Sequence, residues 1–473
     1  MRLSLTGLML IYATALAFSQ PQPAPAAKDF IKIPAGVIAL EHVRLIDGTG
    51  AAAKPDQTIL ISGDKITAIG ASNSVQVPAG TTRLDFTGFS ALPGFVGMHD
   101  HLFYPAGGGL YHDMPLSFPR LYLAAGVTTI RTTGSLEPYF DLELKKGIDD
   151  GKLVGPKINM TGPYLEGEGA FTRQMHALKD AEDARRTVEY WITEGARSFK
   201  AYNVLTRAEL KAAVDAAHKH GVKVTGHLCS IGFREAADLG IDDLEHGLTV
   251  DTEFHPEKKP DVCPNPNQAV AAAAKLDIGG PEIQATIKVL VDHHVAVTST
   301  LPVFEQFVPS RPDEPQRVMD MLSDDARKAY QANRAQVAQR KDSPWPMMFP
   351  KEMEFERAFV KAGGTLLAGL DPTGIGGTIA GFGDQREVEL LVEAGFTPLE
   401  ALTIASLNGA RFLGEADHIG SLAAGKQADI VIVKGDPSAK IEDIENVELV
   451  FKDGVGWDSK KLIESVKGQV GVR

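Results

Sequence analysis

Cysteine is nearly absent: Cys229 and Cys263 are the only two among 473 residues. That excludes a scaffold framed by disulfides, although an oxidising compartment would permit one bridge. Basic charge is also in short supply. With 48 Lys and Arg against 61 Asp and Glu, the net charge is −13, which argues against nucleic acid as a partner. Past the N-terminus no apolar run reaches the ~20 residues that cross a bilayer, and low-complexity blocks and short repeats are missing. What remains is 44% hydrophobic and 23% charged, a globular profile long enough for a large barrel with an accessory domain.

The N-terminus reads as a secretory signal over residues 1–19. Met1-Arg2 precedes the apolar "LSLTGLMLIYATALAF", with small residues at Ala17 and Ser19. The expected location is periplasmic or secreted, with no membrane anchor after cleavage. Residues 20–35 open in Pro, Ala and Gln and are expected to form a flexible lead-in. Short β-runs with turns fill 36–90, and "SGDK" between two apolar alternations signals a hairpin.

From 91 to 413 the rhythm becomes strand–helix alternation. Eight β-runs stand out: "GFVGMHDH", "VTTIRTTG", "KINMTG", "SFKAYN", "VKVTGH", "DDLEHG", "VAVTST" and "TLLAGLDPTG". Eight such units predict an α/β fold, a (β/α)8 TIM-like barrel. Residues 251–293 and 303–360 exceed a minimal connection, so they are expected to carry extra helices over the mouth. From 414 to 473 β-runs return. Paired with 36–90 they predict a small β-sandwich built from both chain ends, followed by a C-terminal tail.

Active groups of such barrels sit at the C-terminal ends of the strands. The first run ends in His99-Asp100-His101, where residues i and i+2 project to one side. Alone, this fits two surface histidines as well as half a metal site. The fourth run ends with Lys200, the fifth with His227, the sixth with His246 and the eighth with Asp371. Six potential ligands at five strand ends are hard to credit to chance.

These residues, with "LPGFVGMHDH", "DLEHG", "LTIASLNGARFLG" and "GKQADIVIVKGDP", resemble the binuclear metal-dependent amidohydrolases, in the prolidase-like and imidazolonepropionase-like branch. The resemblance implies a site with two divalent metal ions, for which zinc suits the ligand types. His99, His101 and Asp371 would hold one metal, His227 and His246 the other, with Lys200 bridging both as a carbamate. It implies hydrolysis of a C–N bond by a metal-bridging hydroxide, with Asp371 as catalytic proton shuttle. The expected substrate is a small amide or peptide, a dipeptide or N-acyl amino acid. A cyclic amide or lactone is the alternative, and a non-catalytic metal-binding scaffold the remaining reading. A homo-oligomer stays open.

Two stretches depart from that pattern. Relatives place a tyrosine shortly after the fifth-strand histidine, where Leu228 and Cys229 stand here; "LEGEGAF" replaces the frequent "GGH" after the third strand. Arg131, Tyr164, Arg173 and Tyr202 are the candidates for substrate contact, an arginine suiting a carboxylate by its bidentate fork. Arg131 would equally serve by pairing with an acidic neighbour. Cys229 is expected to pack beneath the site.

Overall fold

The computed structural model describes residues 26–472; the signal expected over 1–19 lies outside them. All eight expected β-runs form parallel strands: Phe95–Gly97, Val127–Arg131, a third in two pieces, Ser198–Ala201, Lys223–Gly226, Asp243–Glu245, Ala296–Ser299 and Leu366–Ala368. The third divides at Met160. Lys157–Asn159 pairs with the second strand, and Thr161–Leu165 with the fourth. From there each strand pairs with the next up to the eighth. Two backbone bonds return the eighth to the first: Met98 N–H donates to Ala368 O at 2.8 Å, and Asp371 N–H to His99 O at 3.0 Å. Gly369 permits this approach, since a Cβ there would lie 2.4 Å from His99 Cβ.

Helices separate the strands for legible reasons. Arg207–His218 starts at Thr206, whose hydroxyl accepts from Glu209 N–H while Glu209 reaches back, a capping box. Thr397 and Glu400 repeat the device with Pro398 at the first helical position. The long connections hold helices Pro266–Ala273 and Pro281–Asp292, then four from Leu301–Glu305 to Trp345–Lys361. A hairpin, Phe103–Gly107 with Leu110–Asp113, follows the first strand.

Both chain ends join in one continuous sheet, in the order Ile31–Ile33, Val455–Asp458, Val447–Lys452, Ile430–Lys434, Phe89–Pro93, Val37–Leu45, Lys54–Ser62, Lys65–Ala71. The C-terminal part meets the N-terminal part where Ile430–Lys434 runs antiparallel to Phe89–Pro93. Alternation sorts these strands between two cores. Ile430, Ile432, Leu449 and Phe451 pack with Ile38, Leu40 and Ile59 in the sheet's own core. Val431, Val433 and Val450 join the core shared with the barrel.

The flexible lead-in over 20–35 requires correction from residue 26 onward. Ile31–Ile33 is an edge strand on Val455–Asp458. Phe30 is buried with the Arg120 guanidinium 4.7 Å over its ring. The apolar residues of "FIKI" outweigh the Pro/Ala-rich composition that precedes them. Among the described residues no helix is long and apolar enough to cross a membrane.

Candidate metal centre and active site

The barrel brings the six residues together at its C-terminal rim. Lys200 Nζ lies 2.9 Å from His99 Nε2. Asp371 faces three imidazoles, with His101 Nε2 at 3.5 Å, His99 Nε2 at 3.7 Å and His246 Nε2 at 3.8 Å. The His227 and His246 ring centroids are 4.5 Å apart. Atoms of His99, His246 and Asp371 fall within 4.8 Å of one another, close enough to share an ion.

Two backbone irregularities aim these groups. His246 has φ 68° and Asp371 φ 50°, a left-handed conformation uncommon outside glycine. In a regular strand consecutive residues point to opposite faces. The turn at His246 lets both Glu245 and His246 reach the same interior, since each contacts His99. Such strain concentrates where function requires it.

The hydrogen bonds test whether a cation fits. His101 Nδ1–H donates to the Thr132 carbonyl at 2.9 Å; a carbonyl only accepts, so the proton sits on Nδ1. Burial holds the His101 pKa well below its ordinary value, so the ring is neutral. Its Nε2 lone pair therefore faces an Asp371 oxygen, acceptor against acceptor. His99 Nδ1 is bound to Glu245 at 2.6 Å and His246 Nδ1 to the Thr300 hydroxyl at 2.6 Å, which directs their Nε2 atoms to the same centre. His246 Nε2 is buried with no hydrogen-bond partner. Neutral imidazoles fixed at Nδ1 and converging by Nε2 around a carboxylate form a set that a divalent cation satisfies.

Burial also sets the remaining charges. It lowers the His227 pKa to about 3, lowers Lys200 to about 8, and raises Asp371 to about 6. Lys200, only 1% exposed, thus has an accessible neutral amine near neutrality, the form that adds to carbon dioxide.

Of the four substrate candidates, Tyr164 and Tyr202 line the cavity above Lys200, His227 and Asp371, together with Phe103, Tyr111 and Phe171. Arg131 does not, which corrects its placement as a substrate contact. It is 1% exposed and bonded to Asp243 at 2.7 Å, Glu245 at 2.9 Å and the Met98 carbonyl at 2.7 Å. A guanidinium so enclosed neutralises the two carboxylates that share the barrel interior. Arg173 is exposed and does not line the cavity. Glu245 and Thr300, which orient His99 and His246, escaped the sequence reading. The signal for Glu245 was its place beside His246 in "LEHG".

Cys229 does more than pack: it is bonded to Cys263, with Cα atoms 4.8 Å apart. The segment before Cys263 folds back over the end of the fifth strand, where Thr252 Oγ1 donates to Cys229 O at 2.6 Å and Arg207 pairs with Asp261. A sequence separation of 34 gives no hint of that return. Replacing both cysteines by serine is expected to lower unfolding stability by about 3–4 kcal/mol, from loop closure alone. Denaturant unfolding with and without reductant checks it: reductant should destabilise the parent and leave the double variant unchanged.

Comparison with known proteins places this arrangement. The model of the amidohydrolase family matches residues 90–259 and 366–456, together more than half of the chain. The chain belongs to the amidohydrolase family. Its fold resembles that of a Xaa-Pro dipeptidase solved with bound methionine in the active site, at 20% identity and TM-score 0.66, covering 89% of this chain and 100% of that one. It is also similar to the ochratoxinase of A. niger, at 19% identity and TM-score 0.64 over 92% and 99% of the two chains. Over 61 residues it is 46% identical to the imidazolonepropionase of Desulfotalea psychrophila, a stretch that spans 12% of this chain and only 15% of that protein.

Proposed function

We propose that this amidohydrolase cleaves an exocyclic amide of a small carboxylate-bearing molecule, a dipeptide or N-acyl amino acid, outside the cytoplasm. The observation that carries the reading is the convergence of the His99, His101 and His246 Nε2 atoms on the Asp371 carboxylate, with His246 Nε2 buried and unpartnered, beside a buried Lys200. His99, His101 and Asp371 would hold one divalent metal, His227 and His246 a second. Lys200, its amine joined to carbon dioxide with loss of a proton, would offer both metals an anionic oxygen. When bound, such metals supply Lewis-acid polarisation of the amide carbonyl and acidify water to a nucleophile at neutral pH.

The chain's own groups do the rest. Asp371, with its affinity for protons raised to about 6, takes a proton from the attacking water and releases it to the leaving nitrogen. Thr373 Oγ1 donates to Asp371 Oδ1 at 2.8 Å and holds the carboxylate in place. The Tyr164 and Tyr202 hydroxyls are kept protonated by burial, so they donate to substrate oxygens. Phe103, Tyr111 and Phe171 narrow the mouth and exclude water. Export is supported by the disulfide, because such bonds persist in oxidising compartments.

Metal analysis after reconstitution with zinc and bicarbonate should give about two divalent ions per chain. A screen of dipeptides, N-acyl amino acids and lactones should find turnover among the first two. One ion or fewer overturns the binuclear site; turnover confined to lactones overturns the amide reading.

A further inference from the structure

A second cavity, of about 270 Å3, opens on the far side of His227, between the segments that follow the fifth, sixth and seventh strands. Leu228, Val250 and Val270 form its apolar wall. Phe304, Trp345 and Phe307 form the opposite wall as a stack, Trp345 lying 5.3 Å from one ring and 5.2 Å from the other at 18° and 21°. That wall reaches the metal centre, since Phe304 packs edge-on against His246 at 5.4 Å. His227 lines both this cavity and the one beneath Tyr164. Among the described residues no carboxylate lines it, and its one charged side chain is Arg340. The Arg340 backbone N–H caps its own helix by donating to Val337 O; its guanidinium makes no ion pair among the described residues.

We infer that this cavity is the leaving-group subsite and takes an aromatic amino acid, with its ring packed against the edge of the Phe304–Trp345–Phe307 stack and its carboxylate bound by Arg340. The inference rests on the proposed amide hydrolysis for orientation: only in the leaving half of an N-acyl amino acid or dipeptide is the carboxylate attached next to the released nitrogen. Size agrees, because an apolar cavity of ~150 Å3 holds benzene, and 270 Å3 accommodates a ring with its short acid tail. Charge agrees, because a guanidinium without competing carboxylates binds a carboxylate by two parallel bonds. Cys229 itself lines the cavity, and its bond to Cys263 fixes that part of the wall, which makes the subsite preformed.

The test is calorimetric titration of the metal-loaded chain with 3-phenylpropionate, 3-phenylpropan-1-ol and propionate, none of which is hydrolysed. The parent should bind 3-phenylpropionate at least tenfold more tightly than either of the others. Arg340→Gln should remove the advantage over the alcohol, Trp345→Ala the advantage over propionate, and Lys341→Gln neither. Equal binding of all three probes, or unchanged 3-phenylpropionate affinity in Arg340→Gln, overturns the subsite. Turnover separates this from the function itself. The expected probe binding without hydrolysis of any amide would sink the amide reading and leave the subsite. Hydrolysis of N-acetylglycine as fast as N-acetyl-L-phenylalanine, with flat probe binding, would do the reverse.

Discussion

Lys200→Ala is expected to lose most bound metal and to reduce turnover by more than about 100-fold, beyond the loss seen when a group merely supporting a ligand is removed. The reason lies in what surrounds the amine. Lys200 is buried between His99 and the Tyr164 and Tyr202 rings, and Asp371 lies nearby. An ammonium at that place would repel the cations that the imidazoles are set to bind. As a carbamate it would present two anionic oxygens beside His99. The alanine variant leaves a hole of about the size of a short acid. Added acetate or propionate should therefore restore part of both metal content and rate. Metal analysis with a rate titration in acetate checks this; a variant that keeps full metal and rate shows that Lys200 bridges nothing.

Asp371→Asn separates two roles that coincide in the parent. The amide keeps the shape and one metal-binding oxygen but accepts no proton. Metal content should fall only in part, whereas kcat should fall by ~10²–10⁴-fold, the range of general acid–base assistance. If Asp371 were a ligand alone, rate would follow occupancy and return as zinc refilled the site. The measurement is kcat against added zinc. A plateau far below the parent at full occupancy is the expected result, and recovery to near the parent rate would move the proton shuttle elsewhere.

The convergence of the six rim residues was legible because two simple periodicities carry it. His99 and His101 share a side by strand alternation, and the other four follow from reading what ends each strand of a barrel. Arg131 obeyed the same reading and misled it. Its partners Asp243 and Glu245 lie more than a hundred residues on, so sequence shows a cation at a strand end but not the anions that enclose it. His246 raised the opposite difficulty. Strand alternation alone would turn it away from Glu245, and only the left-handed turn at φ 68° brings both inward. The disulfide was illegible for a third reason: two cysteines 34 residues apart are joined by a loop whose path depends on packing rather than on local preference. The lead-in was misjudged because composition was averaged over a stretch in which Phe30 and its neighbours behave differently from what precedes them.

The meeting of Phe89–Pro93 with Ile430–Lys434 governs how this chain must fold. Ser90 donates to the Gly435 carbonyl across a separation of 345 residues, so the central seam of the terminal sheet closes after almost the whole barrel has been made. Until then the early strands present an unpaired edge, a template for pairing with other chains. Contacts of such span also slow folding, since the intervening loop must be closed before they form. A ribosome or a translocation pore delivers the N-terminal strands first and their partners last. The molecule is thus committed to completing its sheet after release, with the Val431 and Val433 side of the late strand bringing sheet and barrel into register in the same step.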